Sequence, residues 1–277
     1  MKSIQKTLGV ILAGTLMWLI ATGTATAAGT AASETKAKSA PANPGDDVAL
    51  VKMIKKAMRS SVLVQIVAKD YLYAGNGIAV TKSKKEIAKA QKMFQENMKV
   101  LSSALTDPKS KNLMTFIQMN VEELQELLSQ PYSLENAQEV IDLAEAIAEG
   151  ERKLASVFRK RLSKDYPVGK GQRYAIIQIA KYYMAYQAGI KDAHTVQQMK
   201  ETVAKIDNFI KEYKAYPKNT VEMSQTVNEM EKLWNIVKEF YLDIEEGGLP
   251  IIVYQTTNKL DKAVLKYSKL IVQTIRK

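Results

Sequence analysis

The chain has 277 residues, of which 46% are hydrophobic and 25% are charged, the proportions of a folded globular protein. It contains no cysteine and a single histidine, His194, which argues against disulfide frameworks, thiolate-bound metals and multi-histidine metal sites. Its 40 Lys and Arg side chains outnumber 29 Asp and Glu, and the resulting net charge of +11 favours an anionic partner.

Residues 1–28 have the three parts of a secretory signal peptide. Two lysines precede an apolar stretch, residues 8–20, and an Ala-Thr-Ala sequence that suits cleavage ends at Ala27. The alternative is a retained anchor helix, although this stretch is shorter than the roughly 20 residues that a membrane span needs. We therefore expect an exported, periplasmic chain with no membrane-spanning segment after cleavage.

Residues 29–47 are rich in Ala, Ser, Pro, Thr and Lys and contain no large apolar side chain. A segment of this composition cannot bury enough apolar surface to offset the entropy cost of ordering it. We predict a disordered linker here, and the folded part is expected to begin near Val48.

From Val48 onward, apolar residues recur every three or four positions, as the buried face of a helix requires. One such stripe comprises Ile87, Ala90, Phe94, Met98, Leu101 and Leu105. Pro108 and Ser133 stand where helices are expected to start. The pattern predicts four long helices joined by short turns, an up-down bundle over residues 48–166.

The pattern then returns at an offset of about 112 residues. Ala68-Lys69-x-Tyr71 recurs as Ala180-Lys181-x-Tyr183, and a glycine follows each motif at the same distance. This period is too long for a solenoid repeat and indicates that a whole bundle is duplicated. We predict an all-α fold of two tandem up-down four-helix bundles of long amphipathic helices, the second over residues 167–277.

The predicted first helix of the second bundle begins Gly171-Gln172-Arg173-Tyr174-Ala175-Ile176-Ile177-Gln178-Ile179-Ala180-Lys181. This segment resembles the first helix of the periplasmic domain of type IV pilus methyl-accepting chemotaxis transducers, which is similar to that of nitrate/nitrite sensor kinases. Arg59 and Ala68-Lys69 carry the same signature in the first bundle. The resemblance spans about residues 48–277 in two copies, and it implies a sensory domain that binds nitrate, nitrite or a small carboxylate.

The candidate ligand-binding residues lie on these two first helices. Arg59, Lys69, Arg173 and Lys181 are cations among apolar neighbours, and a buried charge needs a partner. A guanidinium presents two parallel donors to the oxygens of nitrate or a carboxylate, and the resemblance adds Gln172 to the set. The alternative is that each cation pairs with an acidic side chain of a neighbouring helix or extends to water.

No catalytic or nucleotide-binding fingerprint occurs, and the acidic run at Glu145 lacks the paired histidines of di-iron bundles. We expect no enzyme activity, no metal, no cofactor and, for an exported chain, no nucleic-acid partner. Two hypotheses remain. One is an anion-binding sensor that signals through a separate membrane protein. The other is a non-catalytic periplasmic adaptor with a degenerate ligand site that binds an envelope protein.

Overall fold

The structure is a computed structural model that describes residues 44–163 and 171–275. These residues form eight α-helices and one short 3-10 turn and contain no strand, which confirms the all-α prediction. The predicted signal peptide, residues 29–43 of the predicted linker and the predicted boundary at residues 166 and 167 lie outside the described residues. Within the described part, no helix combines the length and apolarity that a membrane span needs.

The helices follow one another with short connections. In chain order they are α1 (Pro44–Gly75), α2 (Val80–Ser103), α3 (Pro108–Ser129), α4 (Leu134–Arg159), α5 (Gln172–Gln187), α6 (Ala193–Lys214), α7 (Val221–Leu242) and α8 (Pro250–Ile275), with the 3-10 turn at Ile244–Glu246.

Local capping chemistry sets several helix starts. The Asp107 side chain accepts a hydrogen bond from the Ser110 amide at 2.9 Å, just before Pro108 at the first position of α3. The Ser133 hydroxyl accepts one from the Asn136 amide at 3.0 Å and caps α4. Both predicted helix starts are confirmed.

The start of α1 differs from the sequence prediction, because residues 44–47 of the predicted linker are helical. Asp47 is only 2% exposed, and its carboxylate accepts hydrogen bonds from the Ser163 amide, at 3.0 Å, and from the Ser163 hydroxyl. These bonds join the first turn of α1 to the residues that follow α4. Composition alone did not reveal this contact, because the two residues are far apart in the chain.

Packing divides the helices into two sequential groups. In the first group α1 packs against α2 and α4, and α3 packs against α4. In the second group α5 packs against α6 and α8, and α7 packs against both of these helices. The groups meet where α1 packs against α5, and the described residues form one compact unit.

The two helices that meet, α1 and α5, are also the most deeply buried. Every residue from Tyr174 to Tyr186 of α5 is buried, and so is every residue from Ser60 to Tyr73 of α1 except the half-buried Ile66. A helix that is buried all round lies at the centre of a fold. The polar side chains of these two helices must therefore find partners inside the protein.

Candidate functional site

Lys181 is fully buried on α5 and forms an ion pair with Glu145 of α4. The same carboxylate accepts hydrogen bonds from the hydroxyls of Tyr174, at 2.7 Å, and Tyr182, at 2.9 Å. The Gln178 amide nitrogen lies 3.3 Å from it and adds a further donor. Four side chains of α5 thus converge on one carboxylate of the first helix group.

Burial by itself would raise the pKa of Glu145, but the charge of Lys181 and the hydrogen bonds from Lys181, Tyr174 and Tyr182 lower it to about 2. The carboxylate is therefore ionised at neutral pH and matches the buried ammonium. The positive charge of Lys181 is therefore compensated by a carboxylate inside the protein. This agrees with the alternative that each cation pairs with an acidic side chain of a neighbouring helix.

Lys69 of α1, 1% exposed, lies in a comparable environment. Its ammonium is 2.7 Å from the Asp70 carboxylate and 4.6 Å from the ring centroid of Tyr254 on α8. The Asn258 side-chain oxygen, also on α8, is 3.5 Å from it. Burial raises the pKa of Asp70, and the charge of Lys69 opposes that rise.

Lys69 and Lys181 occupy equivalent positions in the sequence repeat, and each reaches the last helix of the other group. Lys181 of α5 pairs with Glu145 on α4, and Lys69 of α1 contacts Tyr254 and Asn258 on α8. The interface between the groups therefore contains two related buried cations, each with partners supplied across it.

Arg173, on the first turn of α5, points to α8. Its Nε and Nη2 atoms each lie 2.7 Å from an oxygen of Asp261, a bidentate ion pair in which the two side chains are 25% and 14% exposed. The two donors that a nitrate or carboxylate ligand would need are already bound to a protein carboxylate.

We expect Arg173→Ala to lower the free energy of unfolding by about 1 to 2 kcal/mol, because it leaves Asp261 without its two charged donors. Urea unfolding measures the change, with Lys266→Ala as the control because it removes an exposed pair with Glu222. We also expect Arg173→Ala to leave anion binding unaltered. Loss of anion binding in this variant would show that the arginine is a ligand residue after all.

Arg59 is exposed, and its one hydrogen-bond contact in the described chain is a long one, 3.9 Å from Nη2 to the Met93 sulfur. It lines a groove of about 440 Å³, which we call the basic groove, together with Asp47, Val48, Val51, Lys52, Lys55, Lys56 and Asn97.

Gln172 lines a larger cleft of about 830 Å³ between α4, α5 and α6, which we call the α4–α6 cleft. Its charged lining residues are Glu145, Arg152, Arg159, Lys205 and Glu212. Its other polar and aromatic lining residues include Gln172, Gln178, Gln198, Asn208, Tyr174, Tyr182, His194 and Phe209. The five candidate residues thus do not form one site, since Gln172 lines this cleft, Arg59 lines the basic groove, and the other three are bound to protein carboxylates.

Sequence reasoning missed Arg152 as a functional candidate. Its guanidinium carbon lies 4.6 Å from the ring centroid of Tyr174, and in the described part of the chain it forms no ion pair with a carboxylate. Glu145 and Arg152 are seven residues apart on α4, two helical turns, and so lie on the same face. That spacing is the signal that could have identified the pair.

No protein-family model, no curated protein and no solved structure matches this chain. Within residues 44–163 and 171–275, no group of acidic or histidine side chains is arranged to hold a metal ion. The α4–α6 cleft and the basic groove are therefore the two features from which a function can be inferred.

Proposed function

We propose that this protein is an exported, non-catalytic binding protein of the sensory type that takes a small organic anion in the α4–α6 cleft and signals through a separate membrane partner. The observation that carries the proposal is the guanidinium of Arg152, which lies over the ring of Tyr174, lines the cleft together with Gln172, and forms no ion pair in the described chain. The α4–α6 cleft is of ordinary size for a small-molecule site, about 300 to 1,000 Å³.

The charges around the cleft favour an anion. Glu145 is ion-paired with Lys181 and Lys205 lies 3.9 Å from Glu201, whereas Arg152 forms no ion pair in the described part of the chain. A guanidinium supported by an aromatic face binds a carboxylate in a defined orientation. The cleft is far larger than nitrate or nitrite. Among the ligands that the resemblance implies, it therefore favours a carboxylate that carries further polar groups.

Amide side chains of the cleft supply hydrogen-bond donors and acceptors for these further polar groups of the ligand. Gln172, Gln198 and Asn208 line the cleft, and their side chains form no hydrogen bond with another residue in the described part of the chain. A ligand with hydroxyl or further carboxylate oxygens matches these groups.

The position of the cleft suggests how binding is signalled. We propose that α1–α4 and α5–α8 are the two tandem four-helix bundles indicated by the sequence repeat, because each set packs chiefly within itself. The cleft has Arg152 from the first set and Gln172 and Gln198 from the second, so one ligand contacts both. A ligand that binds one relative arrangement of the bundles more tightly shifts the population toward it.

Thermal unfolding of the purified chain against a ligand panel tests this proposal. The panel contains acetate, succinate, citrate, nitrate, nitrite and phosphate. We expect stabilisation by one of the carboxylates, reaching about 2.7 kcal/mol at 100 times its dissociation constant. Arg152→Ala is expected to abolish the shift, and Arg152→Lys to weaken it, since lysine keeps the charge and loses the planar fork.

Lys153→Ala is the matched control, because it removes a neighbouring exposed cation of α4 that pairs with Glu149 outside the cleft lining. It is expected to leave the ligand shift intact. A shift that survives Arg152→Ala, or a flat response to the whole panel, would refute the proposed site.

A non-catalytic adaptor is the second candidate. The internal pairing of Lys69 with Asp70, Lys181 with Glu145 and Arg173 with Asp261 favours it, because a scaffold has no need of free cations at its centre. A flat ligand response, combined with capture of one defined envelope protein by the purified chain, would favour this function over ligand sensing.

A further inference from the structure

We propose that the basic groove on α1 is a second binding site, separate from the α4–α6 cleft, for a small soluble ligand that carries two or more phosphate groups. The inference does not depend on the function proposed above. It rests on the charge, the construction and the shape of the groove.

The groove concentrates positive charge on one face of α1. Lys52, Lys55, Lys56 and Arg59 recur at spacings of three and four residues, which places them side by side on the helix. None of the four forms an ion pair in the described part of the chain. Like charges at this spacing destabilise a helix, so the arrangement has a stability cost that an anionic ligand would relieve.

Three exposed lysines elsewhere in this protein are paired with a carboxylate. Lys153 lies 2.7 Å from Glu149, Lys214 lies 2.8 Å from Glu231, and Lys266 lies 3.0 Å from Glu222.

A buried amide holds one of the cations in place. Asn97 of α2 is 6% exposed, and its side-chain nitrogen donates to the Ser60 hydroxyl at 3.2 Å. This bond fixes the amide so that its oxygen accepts from the Lys56 ammonium, also at 3.2 Å. Lys56 is therefore positioned at the groove by a neutral group that leaves its charge uncompensated.

Asp47 is the single acid among the described residues that line the groove. Its carboxylate is oriented by the amide and hydroxyl of Ser163. The four cations and one carboxylate of the groove have an excess of three positive charges, which a monovalent anion would not neutralise. Lysine and arginine together are the side chains that proteins use to bind phosphate oxygens.

The shape favours a small ligand over a membrane surface. The groove is concave, with a volume of about 440 Å³, within the range of small-molecule sites. Val48, which is 73% exposed, and Val51 form its apolar part. A flat bilayer would not fill this concavity, whereas a compact phosphorylated molecule with a short apolar portion would contact both parts.

Isothermal titration calorimetry of the full chain with inorganic pyrophosphate and tripolyphosphate tests the proposal. We expect saturable binding with one site per chain, tighter for tripolyphosphate than for pyrophosphate. The triple variant Lys52→Gln, Lys56→Gln, Arg59→Gln is expected to bind tripolyphosphate at least tenfold more weakly. Circular dichroism and a thermal unfolding curve check that this variant is folded.

The control is Lys259→Gln, Lys262→Gln, Lys269→Gln, which removes the same charge from three exposed positions of α8 that do not line the groove. The affinity of this control variant for tripolyphosphate is expected to differ less than twofold from that of the parent chain. An equal loss of tripolyphosphate affinity in both triple variants would overturn the proposal, because it would show that the ligand responds to the net charge of the protein and not to the basic groove. Binding to anionic phospholipid vesicles without binding to either soluble phosphate would also overturn it.

Discussion

We expect the stability of this protein to decline between pH 5 and pH 9, and we expect replacement of Glu151 with glutamine to remove most of that decline. Glu151 lies in the core-facing stripe of α4, is 0% exposed, and neither carboxylate oxygen has a hydrogen-bond partner in the described chain. Burial raises its pKa from the ordinary value of 4.5 to about 8.

The sign of the effect follows from this raised pKa. The folded state binds the Glu151 proton more tightly than the unfolded state, so the stability that this group contributes is fully present below pH 4.5. It is lost as the pH rises through about 8, with a total on the order of 4 to 5 kcal/mol. Glu151→Gln cannot ionise and therefore has no such loss.

Urea unfolding at pH 5, 7 and 9 measures the effect as the difference between the variant and the parent chain. Glu139→Gln is the control, since it neutralises an exposed carboxylate of the same helix. We expect Glu139→Gln to follow the parent profile and Glu151→Gln to diverge upward with pH. If Glu151→Gln also follows the parent profile, Glu151 is not buried without a partner.

Replacing Lys181 with methionine is expected to lower the free energy of unfolding by about 3 to 5 kcal/mol, because it leaves the Glu145 carboxylate without the ammonium that compensates it. Glu145 receives hydrogen bonds from both Tyr174 and Tyr182, which hold it inside the helix interface. The pair contributes stability above pH 4.5, and this contribution is lost as the pH falls through the lowered pKa of Glu145, about 2.

A double-mutant cycle separates the interaction energy of the ion pair from the effect of lost side-chain packing. Glu145→Gln combined with Lys181→Met is expected to recover part of the loss, because it removes the uncompensated charge. Lys153→Met is the control for an exposed pair, since Lys153 and Glu149 are 64% and 58% exposed, and it is expected to cost less than about 1 kcal/mol. Equal costs for Lys181→Met and Lys153→Met would contradict the assignment of a buried ion pair.

The two carboxylates of α4 therefore have opposite pH dependences. Glu145 stabilises the fold when it is ionised, and Glu151 stabilises it when it is protonated. Together they predict greatest stability in the mildly acidic range. Sequence periodicity places Glu151 on the buried stripe with Leu154 and Ile147, but it does not reveal which carboxylate has a partner.

Helix positions were largely accessible from the sequence. Apolar residues at spacings of three and four predicted a helix with a stripe from Ile87 to Leu105, and the structure has α2 over Val80–Ser103, which ends two residues before Leu105. Pro108 and Ser133 predicted the starts of α3 and α4, because helix-start signals act within the first turn, as the bonds of Asp107 and Ser133 to amides three residues away show. The start of α1 was predicted too late, since it depends on the contact of Asp47 with Ser163.

The candidate site was only partly accessible. The sequence identified Lys69, Lys181 and Arg173 as cations on central helices that need partners, and the structure supplies those partners. It did not identify Arg152 or the cleft, because Arg152 is an exposed residue on an amphipathic helix and no motif marks it. Whether such a residue faces solvent or a cleft depends on the helix that packs beside it.

The sequence by itself determined the all-α class, the starts of α3 and α4 and the cations that require compensation, because helical period, capping and the apolar character of a helix are set by neighbours a few residues away. The tertiary structure decided which of these cations are neutralised and which face a cavity. Arg173 finds Asp261 at a separation of 88 residues, and Lys181 finds Glu145 at 36. Such pairs form only when distant helices pack, so no local pattern in the chain encodes them.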